Sequence, residues 1–305
     1  MEKRIVNYLI GTGGWEHESF DGCFYRCQKS ESKDKLRYYS AFFDTVEVRS
    51  TFWDESLTIE DARNWMDAVA ENRRFVFNLK LHSSFTHKKV IRPEQAKNVR
   101  SLLQELARNE RLGSLLAQFP YSFANTTPNR YHLVKLAEVF RGFTLFVELR
   151  HNSWNHSGLM SFLDDNSLHP VSADLPRINK LMPFITGVIG ERAYLRLHGR
   201  NERGWMLNGV DTRYDYQYNA REIRELSRRL VVLAGKCSHI TIICNNTTGG
   251  KAIASALQLI SATRNGKSVL VPEATLKAFP FLSELPNLVI AEKLLLSAGA
   301  YRQAM

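Results

Sequence analysis

Acidic, basic and imidazole side chains recur in this chain at the ends of short apolar runs. Glu47 is followed by Arg49, and Glu148 by Arg150. Asp174 ends another run, and Arg196, His198 and Arg200 follow one another at alternate positions. Glu47, Glu148, Asp174 and His198 have the chemistry of general acids and bases, or of ligands to one divalent metal. Lys80, Arg150, Arg196 and Arg200 suit phosphate or carboxylate, or pair with those acids and neutralise them. A second pattern lies at residues 241–252. A β-branched run stops at Asn245 and Asn246, then Gly249, Gly250 and Lys251 lead into an apolar helical stretch. Unpaired amides at a helix start, close backbone approach at glycine and an adjacent lysine make an anion cradle.

A polar residue inside an apolar strand is expensive to bury unless paired, so one alone says little. Its repetition does more: Lys80 ends a run with His87 shortly after, and Gln118 ends the next. The competing account is structural. A Glu148–Arg150 or Glu47–Arg196 pair would organise a barrel interior without doing chemistry. Aromatic residues fall nearby, namely Trp15, Phe52, Trp53, Trp154, Trp205 and Tyr214. Aromatics beside basic groups stack bases or sugar rings. Trp15 and Trp205, flanked by glycine and polar residues, are the stronger ligand candidates, and Phe52 and Trp53 fit core packing equally well. Gly11-Thr12-Gly13-Gly14 lacks the third glycine and the helix start of a dinucleotide fingerprint. No Walker lysine motif, Gly-x-Ser-x-Gly elbow or His-Glu-x-x-His is present.

These residues need elements to hold them. Eight apolar or β-branched runs occur at 5–10, 45–48, 75–79, 115–119, 144–149, 169–173, 193–197 and 240–244. Helical spacing is found at 35–43, 59–70, 96–106, 130–140, 159–166 and 220–234, and again at 252–260. Alternating strands and helices imply parallel pairing with right-handed crossovers. Eight units in this length predict a TIM-type (β/α)8 barrel, with a doubly wound open sheet as the alternative. The functional residues then belong at the C-terminal strand ends. The barrel domain is expected over 1–262, with an extension at 263–305 that packs on the barrel or at an oligomer contact. Within it, 288–300 has the pattern of an apolar helix.

Composition bounds the class. The 305 residues carry 41 Lys and Arg against 31 Asp and Glu, a formal charge of +10. This favours anionic partners, although Arg221, Arg224, Arg228 and Arg229 fit a solvated helix face. No run approaches a membrane span and no signal peptide is evident, so a cytoplasmic protein without membrane contact is expected. Four cysteines, Cys23, Cys27, Cys237 and Cys244, form no disulfide framework.

The motifs Ile-Gly-Thr-Gly-Gly-Trp (10–15), Thr-Val-Glu-Val-Arg-Ser-Thr-Phe (45–52), Leu-Ala-Gln-Phe-Pro (116–120) and Phe-Val-Glu-Leu-Arg-His-Asn-Ser-Trp (146–154) occur in order. Ala173-Asp174, Tyr-Leu-Arg-Leu-His-Gly (194–199) and Asn-Asn-Thr-Thr-Gly-Gly-Lys-Ala (245–252) complete the set. Together they resemble the YecE-like family, domain of unknown function 72, over about residues 5 to 260. The resemblance implies a TIM-type barrel and no settled reaction. Arg49 stands where that family usually has Asn, and Arg26 where it has Pro. The barrel outline is similar to the sugar-isomerase and endonuclease-four class, but too few histidines sit at strand ends for a three-metal cluster.

The functional expectation is a phosphate-bearing sugar or nucleotide, or nucleic acid, at the C-terminal face, with phosphoester hydrolysis as the reaction. Phosphate would lie on Gly249 and Gly250 with help from Arg196 and Lys251. Glu148, Asp174, His198 and Glu47 would supply acid/base groups or hold one divalent metal, and Arg150 would orient Glu148 or touch the anion. A non-catalytic binding protein and a sugar-phosphate isomerase or lyase are the alternatives.

Overall fold

A computed structural model describes residues 5–26, 30–207, 210–264 and 266–292. Its eight long-range strands are β1 (Asn7–Thr12), β2 (Thr45–Val48), β3 (Val76–Lys80), β4 (Leu112–Gln118), β5 (Leu145–Glu148), β6 (Leu168–Asp174), β7 (Arg192–Leu197) and β8 (His239–Cys244). All eight predicted runs coincide with these strands, displaced by no more than a few residues. Every neighbouring pair is parallel, in the order β1-β8-β7-β6-β5-β4-β3-β2. The two ends of that order meet. Gly13 and Glu47 form a parallel bridge, and the Gly14 amide donates to the Glu47 carbonyl at 2.9 Å. The sheet is therefore a barrel, and the open doubly wound alternative is set aside.

The seam between β1 and β2 has its own device. The Thr12 amide donates to the Tyr39 hydroxyl at 2.8 Å, and that hydroxyl donates to the Thr45 carbonyl at 3.1 Å. A phenol thus stands in for a direct strand-to-strand hydrogen bond. Gly11 is required beside it, because a Cβ there would lie 1.9 Å from the Thr45 carbonyl oxygen.

Alternation along each strand sorts side chains between two cores. Leu116, Phe146, Val171, Tyr194 and Ile243 form a small separate cluster that fills the barrel interior. Residues of the other parity, such as Ala117, Val147, Leu195 and Ile242, belong to the main cluster beneath the helices. Two positions further along the same strands stand Gln118, Glu148, Ala173, Arg196 and Asn245. An apolar layer therefore supports a polar one at the C-terminal mouth.

The helices follow the predicted spacing, from Ser32–Ser40 and Ile59–Ala68 through Ala220–Ala234 and Lys251–Thr263. Their starts are encoded locally. Thr58 with Asp61 and Asn219 with Glu222 form capping boxes, and Pro93 opens Pro93–Arg108.

The extension departs from expectation. Leu288–Ile290 (β10) is not helical but pairs in parallel with Val269–Val271 (β9). Val, Leu and Ile suit a strand as well as an apolar helix, and the partner strand decides between them; residues 293–300 of that predicted helix lie outside the described residues. Val269, Val271, Phe279, Leu282 and Ala291 join the main core, and Thr275 Oγ1 donates to the Cys23 carbonyl at 2.8 Å. Cys27, four residues after Cys23 in the sequence, also lies outside the described residues. Among the described residues, no helix is long and apolar enough to cross a membrane.

Candidate functional site at the barrel mouth

The polar layer centres on Arg196. Its guanidinium joins two carboxylates: Nη2 donates to Glu47 Oε1 at 2.7 Å, and Nη1 to Glu148 Oε2. Tyr194 donates to the other Glu47 oxygen at 3.0 Å, and Arg150 Nε to Glu148 Oε1 at 2.8 Å. His198 lies 3.1 Å from Glu148 through Nε2 and 3.1 Å from the Asn245 amide nitrogen through Nδ1. Since that amide nitrogen can only donate, Nδ1 accepts and the proton sits on Nε2. Glu47, Glu148 and His198 have no solvent exposure.

The electrostatics follow. Burial opposes ionisation of Glu148, but the charges of Arg196 and Arg150 overcome it and hold the carboxyl well below its usual range. Burial keeps His198 neutral by pushing it down to about 4, although Glu148 pulls the other way. For Glu148 at neutral pH, therefore, the arginines supply the charge and His198 only a hydrogen bond. A carboxylate so heavily solvated by donors has little basicity.

Above this network stand two cations, Lys80 and Arg49, that have no carboxylate partner among the described residues. Half-buried Lys80 ends β3, its Nζ 3.8 Å from the centre of the Phe52 ring. Among the described residues its ammonium has no hydrogen bond or ion pair. Burial, followed by the charge of Arg196 and offset in part by Glu47, brings it down to about 7. Arg49, two residues beyond Glu47, reaches the Gly13 carbonyl at 3.5 Å, and its ionisation is lowered by burial despite Glu47. Trp205 and Tyr214, from the segment after β7, cover the mouth. Arg150 lies 5.3 Å over the Trp205 ring, and Tyr214 lies 5.8 Å from the His198 ring. Burial raises the Tyr214 phenol, but Arg150 and Arg196 bring it below its ordinary value. The Trp205 indole N–H is buried and has no hydrogen-bond acceptor among the described residues.

The remaining predicted site residues divide plainly. Gln118 lies in the polar layer, its amide donating to the Phe119 carbonyl at 2.7 Å. His87 is exposed at the rim, its ring 5.0 Å from Phe52. Asp174 does not join the pocket. Its position on β6 has the outward parity, and it binds Arg200 twice at 2.8 Å, Tyr218 at 2.8 Å and Arg229 at 3.4 Å. Arg200 is thereby committed to Asp174 and to Glu225 at 3.0 Å. Asn246 likewise faces outward, donating to the Tyr216 carbonyl and to Ser255 Oγ, both at 2.9 Å.

Two tryptophans are structural. Trp15 is buried, within 3.3 Å of the Ser32 carbonyl through its N–H and packed edge-on to Trp65, and Trp154 is buried with its N–H on the Phe123 carbonyl at 2.8 Å. The glycine loop is packed as well. A Cβ on Gly250 would meet Cys23 Sγ at 2.2 Å, and Lys251 pairs with Asp215. Gly249 and Gly250 both have positive φ, so turn geometry and close packing account for them.

Sequence reasoning set Arg49 apart only as a departure and counted Tyr214 only as an aromatic. Arg49 was within reach: it stands two positions past Glu47, as Arg150 does past Glu148. Tyr214 lies in a long connection where no periodicity applies.

A divalent metal does not fit this donor set. Among the described residues no three His, Cys, Asp or Glu side chains converge. Arg196 occupies the space between Glu47 and Glu148 that a shared cation would need, and Asp174 faces elsewhere.

The model of a protein family described as "Protein of unknown function DUF72" matches residues 9–278. The chain belongs to that family. It is 27% identical over 285 residues to UPF0759 protein YunF of Bacillus subtilis strain 168, covering 86% of this chain and 97% of that one. The crystal structure of the DUF72 family protein TM1631 from Thermotoga maritima MSB8 superposes with a TM-score of 0.73 at 30% identity, covering 83% and 97% of the two chains. That of EF0366 from Enterococcus faecalis V583 gives 0.73 at 24% identity, with 84% and 95% covered.

Proposed function

We propose that this DUF72 family member binds a small phosphate-bearing molecule, a sugar phosphate or a nucleotide, at the C-terminal mouth of its barrel. One observation carries the reading. Lys80, Arg49, Arg150 and Arg196 interact electrostatically around a mouth whose carboxylates, Glu47 and Glu148, are already held by Arg196 and Arg150. The surplus positive charge sits where water is scarce, and there an anion is worth more than at the surface. Arg49 and Lys80 are the side chains available to meet it, and half-buried Tyr214, beside buried Trp205, offers a ring to a sugar or base. The indole N–H adds a donor.

The geometry supports binding ahead of hydrolysis. Glu148, the carboxylate best placed for acid–base work, is held ionised by two arginines and would accept a proton poorly. Isothermal titration with inorganic phosphate, glucose 6-phosphate and AMP tests the proposal, with glucose and adenosine as uncharged controls. Saturable binding of the phosphorylated compounds is expected, weakened about tenfold in Arg49→Gln. An equal response to glucose and glucose 6-phosphate, or none to any phosphate, overturns it. A duplex or single-stranded oligonucleotide that binds with a steep salt dependence, while the small phosphates do not, would move the ligand to nucleic acid.

A further inference from the structure

We propose that Lys80 is a nucleophile that forms an imine with the carbonyl carbon of a small phosphorylated aldehyde or ketone held at the barrel mouth. The inference rests on the proposed phosphate-binding role of that mouth and names the substrate class and the reacting atom.

Lys80 differs from the other cations of the polar layer. Arg196 and Arg150 spend their donors on Glu47 and Glu148, whereas the Lys80 ammonium has no carboxylate or other hydrogen-bond partner among the described residues. Glu47, the acid whose charge acts on Lys80, is taken by Arg196 on one oxygen and Tyr194 on the other. Lys80 ends β3 with inward parity, two residues past Asn78, and the Phe52 ring 3.8 Å from Nζ fixes its head group. The charged groups that act on it come from three sides: Glu47 and Arg49 from β2 and its end, Arg150 beyond β5, and Arg196 from β7. His87, on the connection after β3, also faces it. Three guanidiniums against one nearby carboxylate favour the uncharged amine, the form that attacks a carbonyl. Arg49, which has no carboxylate partner among the described residues, would hold the phosphate of the substrate and leave its carbonyl end for Nζ.

The step balances without an added oxidant or reductant. The nitrogen lone pair forms the N–C bond as the C=O π pair moves to oxygen. Nitrogen gives up one proton and the oxygen gains one, both through solvent, to give a carbinolamine. Protonation of the hydroxyl then lets the C–O bond break. Water leaves, and the nitrogen lone pair closes the protonated C=N bond. Such an imine is an electron sink for breaking an adjacent C–H or C–C bond, so the reaction class is isomerisation or carbon–carbon cleavage rather than phosphoester hydrolysis.

Borohydride trapping provides the test. The full-length protein is incubated at pH 7 with glycolaldehyde phosphate and sodium borohydride, and labelled lysines are located by peptide mass spectrometry. Lys80 should be labelled at least about tenfold faster than any exposed lysine, because a larger fraction of it is uncharged. Inorganic phosphate should protect it, and Lys80→Arg should remove the fast label with an unchanged circular dichroism spectrum. If phosphate binds by titration but Lys80 is labelled no faster than exposed lysines, the imine is wrong and the anion site stands. If no phosphate binds, uncharged glycolaldehyde with borohydride decides. Selective labelling of Lys80 keeps the nucleophile and discards the phosphate, and its absence overturns both.

Discussion

Glu148 and Asp174 end neighbouring strands, and each is held by two arginines and a third donor. Yet one faces the barrel mouth and the other faces the helices. Glu148 and its partners Arg196 and Arg150 are 0%, 2% and 7% exposed. Asp174 is 3% exposed, but its partners Arg200 and Arg229 are 15% and 26% exposed. The first cluster is sealed and the second is wetted on its arginine side. Similar chemistry therefore has different energetics, because a sealed charge cannot recover solvation when its partner is removed, whereas a wetted one can.

The sharpest way to break the comparison is Arg196→Met, which strands Glu47 and Glu148 together. A loss of about 3–5 kcal/mol is expected in urea unfolding, and a loss under 1 kcal/mol would show that the inner cluster is not sealed. Next comes acid. The unfolded chain protonates His198 near 6.5 and the folded chain only near 4, so stability present above that window is lost as pH falls through it. The effect is on the order of 2–3 kcal/mol for this fully buried ring, and His198→Gln should flatten that limb of the stability profile.

Asp174→Asn should cost about 1–2 kcal/mol and leave the phosphate titration where it was. If it weakens phosphate binding as much as Arg49→Gln does, the division between mouth and helix side fails. The smallest expected effect is a gain. Lys80 loses its proton near 7 in the folded chain but near 10.4 when unfolded, so the folded state is penalised below pH 7 and recovers as pH rises towards 10. Lys80→Met should therefore be more stable than the parent by about 1 kcal/mol at pH 6, with the advantage vanishing in alkali.

Much of this was legible in the sequence. Strand–helix alternation indicated the barrel, and Glu47, Glu148, Arg150, Arg196 and His198 could be placed at its mouth because polar residues in apolar strands need a shared reason. Asp174 and Asn246 also stand at strand ends, but their side chains face the helices. Two-residue alternation separates them: the inward line on β8 runs Thr241, Ile243, Asn245, and that on β6 runs Val171, Ala173. The arginine bridge between Glu47 and Glu148 was one of two accounts, since composition cannot say whether acids meet a metal or a guanidinium. Trp15, Trp154 and the Gly249-Gly250 turn looked like ligand groups because glycine and tryptophan serve close packing as readily as binding. Trp205 and Tyr214 reach the mouth by a long connection, whose path depends on tertiary packing.

The phenol that joins β1 to β2 has a consequence for how the ring of strands breathes. Elsewhere the strands are stitched by backbone ladders, but at this join the Thr12 amide depends on one side chain delivered by a helix. A shift of the helix Ser32–Ser40 would remove both hydrogen bonds of the Tyr39 hydroxyl and leave the Gly14 amide on the Glu47 carbonyl to hold the join. That edge carries Gly13 and Arg49, so the position of one helix is coupled, through a single phenol, to the cation best placed to meet an anion.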